Sequence, residues 1–395
     1  MARRITLSFL KTEQASGLIL VLVAFAAIGL ANSVWADRYF AFIGRAVTIQ
    51  VGGFRETMPV ADWVKHGLMA VFFFVVGLEI KFEILRGELS NPRRLALPIL
   101  AALGGMVLPA AVYLLLNQGP HGAPRGWPTP VATDIAFALA ALAVAGPKLP
   151  PALRTFLLTL AIADDLGAVG LIATLFTSEV HLLALGGAVS GLVLMALLGR
   201  WRTAPYLFYA ALFVLVWAFT LKSGVSTSIA GVAAAMTIPL EPRRTGQPGV
   251  LHYFMDSLHP YVAFLILPLF AFTAAGFSVR GLTIHEFFSP VAMGIALGLF
   301  LGKQVGVFGA AALALGLKLA RRPTGSNWLE LYGCALLCGV GFTLSLYMGS
   351  LAFDPRDAMI QSEIRLGVVA GSVLSALAGM AVLAWSQARR AEQPA

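Results

Sequence analysis

Apolar runs of about 20 residues recur along almost the whole chain, and no other feature limits the fold so strongly. A membrane-spanning helix needs roughly 20 such residues, because in hydrocarbon every backbone N–H and C=O must be satisfied within the spanning structure. Twelve segments meet the pattern: residues 12–32, 62–85, 95–117, 128–145, 151–176, 181–199, 204–221, 223–240, 259–277, 288–317, 328–352 and 362–385. Composition agrees, since only 12% of the residues are charged, about half the share in soluble chains. Mean hydropathy is +0.83. A soluble protein this apolar would aggregate, and a disordered one would be polar. The expected fold is therefore an all-α polytopic membrane protein of about twelve transmembrane helices. No polar stretch is long enough for a separate soluble domain, so residues 1–395 form one transmembrane domain.

The formal net charge is +9. The charges sit in short loops and at helix ends, so the expected partner is the lipid bilayer and not nucleic acid. With the N-terminus in the cytoplasm, 18 of the 28 Lys and Arg fall on the cytoplasmic side: Arg3, Arg4, Lys11, Lys81, Arg86, Arg93, Arg94, Lys148, Arg154, Arg200, Arg202, Arg243, Arg244, Lys318, Arg321, Arg322, Arg389 and Arg390. The opposite side holds Arg38, Arg45, Arg55, Lys65, Arg125, Lys222, Arg280, Arg356 and Arg365. That bias places both termini in the cytoplasm and makes the number of spans even. The run Ala15–Ala31 after Arg3, Arg4 and Lys11 has the look of a signal peptide, but it is long for one, and an uncleaved first helix is expected. Cys334 and Cys338 lie four apart on one helix with no His or carboxylate cluster, which suits small buried residues.

The longest connection is 33–61. Val47 to Val51 alternates loosely and leads into Gly52-Gly53 and Phe54-Arg55-Glu56-Thr57, a hairpin signal. Two readings stay open: an ordinary loop, or a small extracytoplasmic β-hairpin over 45–58 that pairs with another subunit edge to edge.

Four ionisable residues have neither a loop nor a helix end. Asp134 lies in the fourth segment, Asp164 and Asp165 in the fifth, and Lys303 in the tenth. Each costs about 2.5–3.5 kcal/mol at the bilayer centre. Together they cost on the order of 10 kcal/mol, comparable to the net stability of a whole protein. They must pair, line water or bind an ion. A structural ion pair would account for one Asp and the Lys. The second Asp needs more. Neighbours on a helix point about 100° apart, so one aspartate can face Lys303 while the other faces a cavity. Two carboxylates this close do not both ionise cheaply. Their hard oxygens suit a small hard cation. One site can then hold a cation or protons but not both, which is the chemistry of an exchanger.

Two segments look interrupted. The fourth opens with Pro128 and Pro130 and carries Thr133-Asp134; the eleventh carries Gly339-Val340-Gly341-Phe342. Either could be a packing feature. The triplets of segments spanning 95–176 and 288–385 occupy corresponding places and read as inverted-topology repeats, in which paired broken helices mark a midplane site. Where two broken helices cross, a carboxylate such as Asp134 could offset the facing N-terminal ends, and Lys303 the C-terminal ends. Gly298, Gly302 and Gly306 form a small-residue row, as do Gly187 and Gly191, and both read as helix contacts.

At these residues the chain resembles the NhaA family of bacterial sodium/proton antiporters. The resemblance is carried by Met69-Ala70-Val71-Phe72-Phe73 with Gly77-Leu78-Glu79, by Ala132-Thr133-Asp134-Ile135-Ala136-Phe137-Ala138, by Asp164-Asp165-Leu166-Gly167-Ala168, by Leu221-Lys222-Ser223-Gly224-Val225, by Leu267-Pro268-Leu269-Phe270-Ala271-Phe272, by Gly302-Lys303, and by Cys338-Gly339-Val340-Gly341-Phe342-Thr343. The resemblance implies twelve helices, with a core bundle over 95–176 and 288–385 and an interface bundle over 12–85 and 181–277. The fourth and eleventh helices would be unwound at Gly339 and Gly341 and their counterparts, and would cross. Asp165 resembles the main ion ligand and proton carrier, Asp164 the partner that pairs with Lys303, Thr133 a polar ligand, and Asp134 the charge that balances the crossing. Sodium would bind at Asp164 and Asp165. The implied activity is electrogenic export of one sodium or lithium ion against two imported protons, by a homodimer in the bacterial inner membrane, serving pH and sodium homeostasis. No cofactor and no enzymatic reaction are implied.

Glu79, Lys81, Glu83, Asp256 and His259 occupy the region linked to pH response. The chain departs from the family pattern there. Phe82 follows Glu79-Ile80-Lys81 where Arg is common, Ser226 stands where His is common, and Met255 and Asp256 precede Ser257-Leu258-His259-Pro260 in place of an acidic residue and His. These changes bear on the pH profile and not on transport.

Other classes fit less well. An intramembrane metalloprotease would want His-Glu-x-x-His, which the sequence lacks; His66, His121, His181, His252, His259 and His285 sit at segment ends or in loops. A sodium-coupled organic-anion symporter could share the broken helices, but it needs a roomy polar cavity and not an Asp pair with Lys. A passive channel does not need buried carboxylates that alternate between proton and cation.

Overall fold

The structure is a computed structural model. It describes residues 2–52, 54–87, 92–146, 149–176, 180–201, 204–240, 249–279, 284–354 and 357–392. Gly53, Lys148, Arg202, Arg243, Arg244, Arg280 and Arg356, used above for the hairpin and the orientation, lie outside the described residues. So do the side chains of Arg3, Arg4, Lys11, Arg93 and Arg94.

In chain order the elements are α1 (Ala2–Ala31), α2 (Ala36–Ile43), β1 (Ala46–Val51), β2 (Phe54–Pro59), α3 (60–86), α4 (Pro92–Leu116), α5 (Ile135–Ala145), α6 (Pro151–Leu175), α7 (Leu182–Leu198), α8 (Tyr206–Ser223), α9 (Thr227–Thr237), α10 (Val250–Ala275), α11 (Ile284–Phe287), α12 (Pro290–Gly316), α13 (Trp328–Leu337), α14 (Phe342–Ala352) and α15 (Ala358–Glu392). Among the described residues, six helices are long and apolar enough to cross a membrane, and nine if each bent pair is one span. The bent pairs are α1 with α2 at 115°, the short turns of Pro124–Val131 with α5 at 44°, and α13 with α14 at 42°. The remaining apolar segments hold α3, α7 and α9. Two helix starts differ clearly from the sequence reading. Helix α1 begins at Ala2 and not at residue 12. Helix α10 starts at Val250 and not at His259, because His252, Asp256 and Ser257 dilute the apolar pattern of its first turns without breaking the helix. Its Pro260 is followed by a π-helical turn, Val262–Ile266, which absorbs the lost backbone bond.

The chain divides into two compact units. The first comprises Met1–Asn32, Asn91–Ala168 and Ala274–Ala395, and the second Ser33–Ser90 and Val169–Thr273. Residues 12–32, expected in the interface bundle, fall in the first unit. A Cβ at Gly17 would stand 2.3 Å from the Cβ of Ala140, so α1 lies directly on α5.

Within the first unit, α4 packs backbone to backbone on α12. A Cβ on Gly104 would lie 2.3 Å from the Gly306 carbonyl oxygen, and one on Gly306 2.2 Å from that of Gly104. Gly298 and Gly302 of the same row sit against Pro130 and Pro109. A buried cluster including Leu97, Leu142, Phe156, Leu160, Leu331 and Leu383 ties α4, α5, α6, α13 and α15 together.

In the second unit, Gly231 of α9 meets the backbone of α3 at Ala70, 2.3 Å from where its Cβ would be. Aromatic packing of Phe74 against Phe213 and Phe254 joins α3, α8 and α10. Strands β1 and β2 pair antiparallel from Ala46 opposite Pro59 to Val51 opposite Phe54. Gly52 takes the left-handed φ of 57° at the turn, where Gly meets no steric penalty. Phe54 anchors the pair on α8, 6.2 Å from the Trp217 ring and 4.9 Å below the Lys222 ammonium.

The α4–α12 contact makes one prediction. Gly306→Ala should lower the unfolding temperature in detergent, since a forced overpacking costs about 1–3 kcal/mol. Gly309→Ala, where nothing lies within 4 Å, should leave it unchanged or raise it. Equal melting of the two variants would refute the close contact.

Candidate functional site

The site begins where two helices stop. Before α5 the backbone is extended at Ala132 and Asp134. Prolines at 128 and 130 keep the preceding segment in short 3-10 turns, since Pro cannot supply the N–H of a helix interior. Helix α13 ends at Cys338, and α14 starts at Phe342. The two interruptions meet. The Asp134 N–H donates to the Val340 carbonyl at 2.7 Å, and the Thr133 hydroxyl to the Cys338 carbonyl at 2.9 Å. The first break thus satisfies carbonyls that the second leaves without helical partners.

Asp134, 2% exposed, serves both helices that start here. Its Oδ1 accepts the Phe137 N–H at 3.1 Å, capping α5. Its Oδ2 accepts the Thr343 N–H at 3.1 Å and the Thr343 hydroxyl at 2.6 Å, at the start of α14. A carboxylate between two helix N-termini meets two sets of orphan N–H groups and two positive dipole ends. On the other side of α14, Ser372 Oγ accepts the Gly341 and Phe342 N–H groups at 3.3 and 3.2 Å. The glycines are required by space: a Cβ at Gly339 would lie 2.3 Å from the Leu299 carbonyl oxygen, and one at Gly341 2.9 Å from that of Ala132.

Beside this junction lies a buried ion pair. Lys303 Nζ is 2.7 Å from Asp164 Oδ2, and both side chains are wholly shielded from solvent. Asp164 Oδ1 accepts no hydrogen bond from the described residues. The Thr133 hydroxyl and N–H nonetheless lie close enough to act on the Asp164 carboxyl electrostatically. Cys338, at the end of α13, has Lys303 and Asp164 as its charged neighbours. Asp165 follows on α6 and is 4% exposed. Lys303 itself comes directly after a π-helical turn, Gly298–Gly302. The arrangement brings one carboxylate and the Thr133 hydroxyl, hard oxygens that suit a small hard cation, beside an ammonium that holds that carboxylate, with Asp165 buried next in sequence.

The other predicted residues lie in the second unit. Glu79 Oε1 and His259 Nδ1 are 3.8 Å apart. Lys81 Nζ donates to the Met236 and Ile238 carbonyls at 2.6 Å each, at the C-terminal end of α9, where a cation is favoured. Glu83 is half-buried on the next turn of α3, and Asp256 is exposed on α10, outside the Glu79–His259 contact.

Sequence reasoning missed several polar partners. Thr343 stands two residues after Gly341, at the end of the motif that carries the family resemblance, with no cue of its own to a partner. Ser372 has no signal at all, being one Ser among several in α15. Glu330 is also fully buried, with Arg390 Nε 2.9 Å from its Oε1. Its signal was readable as Asn327-x-x-Glu330, a capping box that the structure forms.

A family model described as Na+/H+ antiporter 1 matches residues 7–383. The chain belongs to this family. An Na+/H+ antiporter named NhaA 2 from Magnetococcus marinus is 46% identical over 386 residues, covering 95% of this chain and 96% of that one. The NhaA antiporter of Bordetella parapertussis is 47% identical over 383 residues, covering 95% of each chain. That of Nitrobacter hamburgensis is 48% identical over 377 residues, covering 95% and 90%. With the apolar helices above, membership makes this NhaA relative a multi-pass membrane transporter protein.

The double cap at Asp134 makes a prediction. Thr343→Val removes the hydroxyl and leaves a buried carboxylate under-satisfied, at a cost of about 1–3 kcal/mol. Thr343→Ser keeps the donor. The Val variant should melt at a lower temperature than the Ser variant in detergent, and coincident melts would show that the contact carries no weight.

Proposed function

We propose that the chain exports one sodium or lithium ion in exchange for two imported protons, electrogenically and by alternating access. The observation that carries this reading is the buried Asp164–Lys303 pair, closed at 2.7 Å, with Asp165 next in sequence. Sodium enters as substrate and takes Asp164 and Asp165 as ligands, with Thr133 at the edge of the site. To do so it displaces the Lys303 ammonium. One proton leaves the Asp165 carboxyl, and a second leaves the Asp164–Lys303 pair. The sodium-loaded site then carries one negative charge more than the proton-loaded site. The reverse steps reload protons from the other side. Asp134 balances the N-terminal ends where the two broken helices cross; its bonds to Phe137 and Thr343 support that role. Gly339 and Gly341 let the breaks approach.

The same reading makes residues 95–176 and 288–385 inverted repeats. It places the protein in a bacterial inner membrane with both termini cytoplasmic, where it serves pH and sodium homeostasis. The charge bias of the loops supports that orientation. Glu79, Lys81, Glu83, Asp256 and His259 would set the pH response; the Glu79–His259 approach supports two of them. The protein acts as a homodimer through the hairpin of residues 45–58, whose β1 strand is exposed along its length.

Proteoliposomes with an internal pH dye test the reading. Sodium should dissipate an imposed proton gradient, and Asp165→Asn should abolish this. A gradient indifferent to sodium, or an active Asn variant, would sink it. Exchange should also respond to membrane potential, which acts on net charge at about 2.3 kcal/mol per 100 mV; indifference to potential would mean one-for-one exchange. Deleting residues 48–57 should shift the purified protein from dimer to monomer while exchange persists. An unchanged dimer would refute the role given to the hairpin.

A further inference from the structure

The Lys303 ammonium reaches Asp164 only because α12 is wound in an unusual way just before it. Residues Gly298–Gly302 form a π-helical turn, and the Lys303 N–H reaches back to the Gly298 carbonyl. A π turn holds one residue more than an α turn, so everything after it is rotated by about 100° relative to a regular helix. Without the extra residue, Lys303 would point to a different neighbour.

Such a turn needs support, because its widened ladder satisfies carbonyls poorly. The neighbouring side chain supplies it. Gln304 Nε2 donates to the Phe300 carbonyl, inside the π turn, at 2.8 Å. Its Oε1 accepts the Tyr332 hydroxyl at 2.5 Å. The amide orientation is dictated by its partners, since a backbone carbonyl can only accept. Gln304 is 6% exposed, and the Tyr332 ring is fixed edge-on by Phe308 at 5.3 Å. Tyr332 lies on α13, which ends at Cys338 in the junction of the two breaks. A continuous line of hydrogen bonds therefore runs from α13 through Tyr332 and Gln304 to the turn that aims Lys303.

We propose that Gln304, held by Tyr332, is a positioning residue for Lys303. The Tyr332–Gln304 link fixes the π turn, and with it the grip of the ammonium on Asp164. It also ties that grip to the placement of α13. Neither residue touches the transported ion. The proposal rests on the exchange reading above for its transport readout, and on geometry alone for its stability readout.

Tyr332→Phe deletes only the hydroxyl and keeps the ring against Phe308; Gln304→Met keeps length and bulk and deletes both bonds. In proteoliposomes each should lower the sodium KM at least about threefold while the maximal rate stays within about twofold, because the ammonium that competes for Asp164 is held less firmly. An unchanged or raised KM overturns the proposal. The second measurement is thermal melting in detergent, in the native background and in one where Asp164→Asn and Lys303→Gln remove the ion pair. Tyr332→Phe should lower the melting temperature at least about twice as much in the native background as in the neutral one, as coupled residues do. Equal losses in both backgrounds would mean a merely structural bond, and would overturn it. If the native protein shows no sodium exchange, the exchange reading fails, and the melting cycle still decides the role of Gln304.

Discussion

A charge inside a membrane protein has no water to fall back on, and the Asp164–Lys303 pair is how this chain meets that condition. Breaking a buried pair by removing one partner typically costs about 3–5 kcal/mol, because the other charge is left uncompensated. A cation that takes over Asp164 can therefore replace the ammonium only if the ammonium gives up its charge or finds another partner. The surrounding structure is arranged around this constraint. Helix α6 presents the Asp164 carboxylate, the π turn of α12 presents the ammonium, and Gly105 makes room for Val307 one turn on, 2.7 Å from where a Cβ would stand, so that α12 lies close on α4. Thr133 enters from the break before α5.

Close approach of backbones is the second requirement, and it explains where side chains were given up. The interruption at 132–134 donates hydrogen bonds directly to carbonyls of the interruption at 338–341. That distance is available only to glycines at 339 and 341. The Gly104–Gly306 contact does the same for α4 and the helix that carries the lysine.

Much of this could be read from the chain itself. Asp134, Asp164, Asp165 and Lys303 stand out because a charge in an apolar run has no cheap explanation, and all four are buried in the first unit. Pro128, Pro130, Gly339 and Gly341 announced the breaks through their backbone chemistry. What was not legible depends on the third dimension. Ser372 and Thr343 are ordinary residues until a neighbouring helix brings orphan N–H groups or a carboxylate to them. The π turn has no sequence signature beyond its glycines, and Tyr332, which holds the bracing Gln304, comes from another helix. The start of α10 was misplaced because polar residues on an exposed helical face dilute hydropathy without ending the helix.

The double cap at Asp134 has a mechanical consequence. Three donors from two helices, the Phe137 and Thr343 amides and the Thr343 hydroxyl, converge on one side chain. The ends of α5 and α14 are therefore pinned to a common point, as two levers share a fulcrum. A tilt imposed on either lever is loaded onto the other through a single carboxylate, so the two half-helices turn as linked parts and not as independent rods.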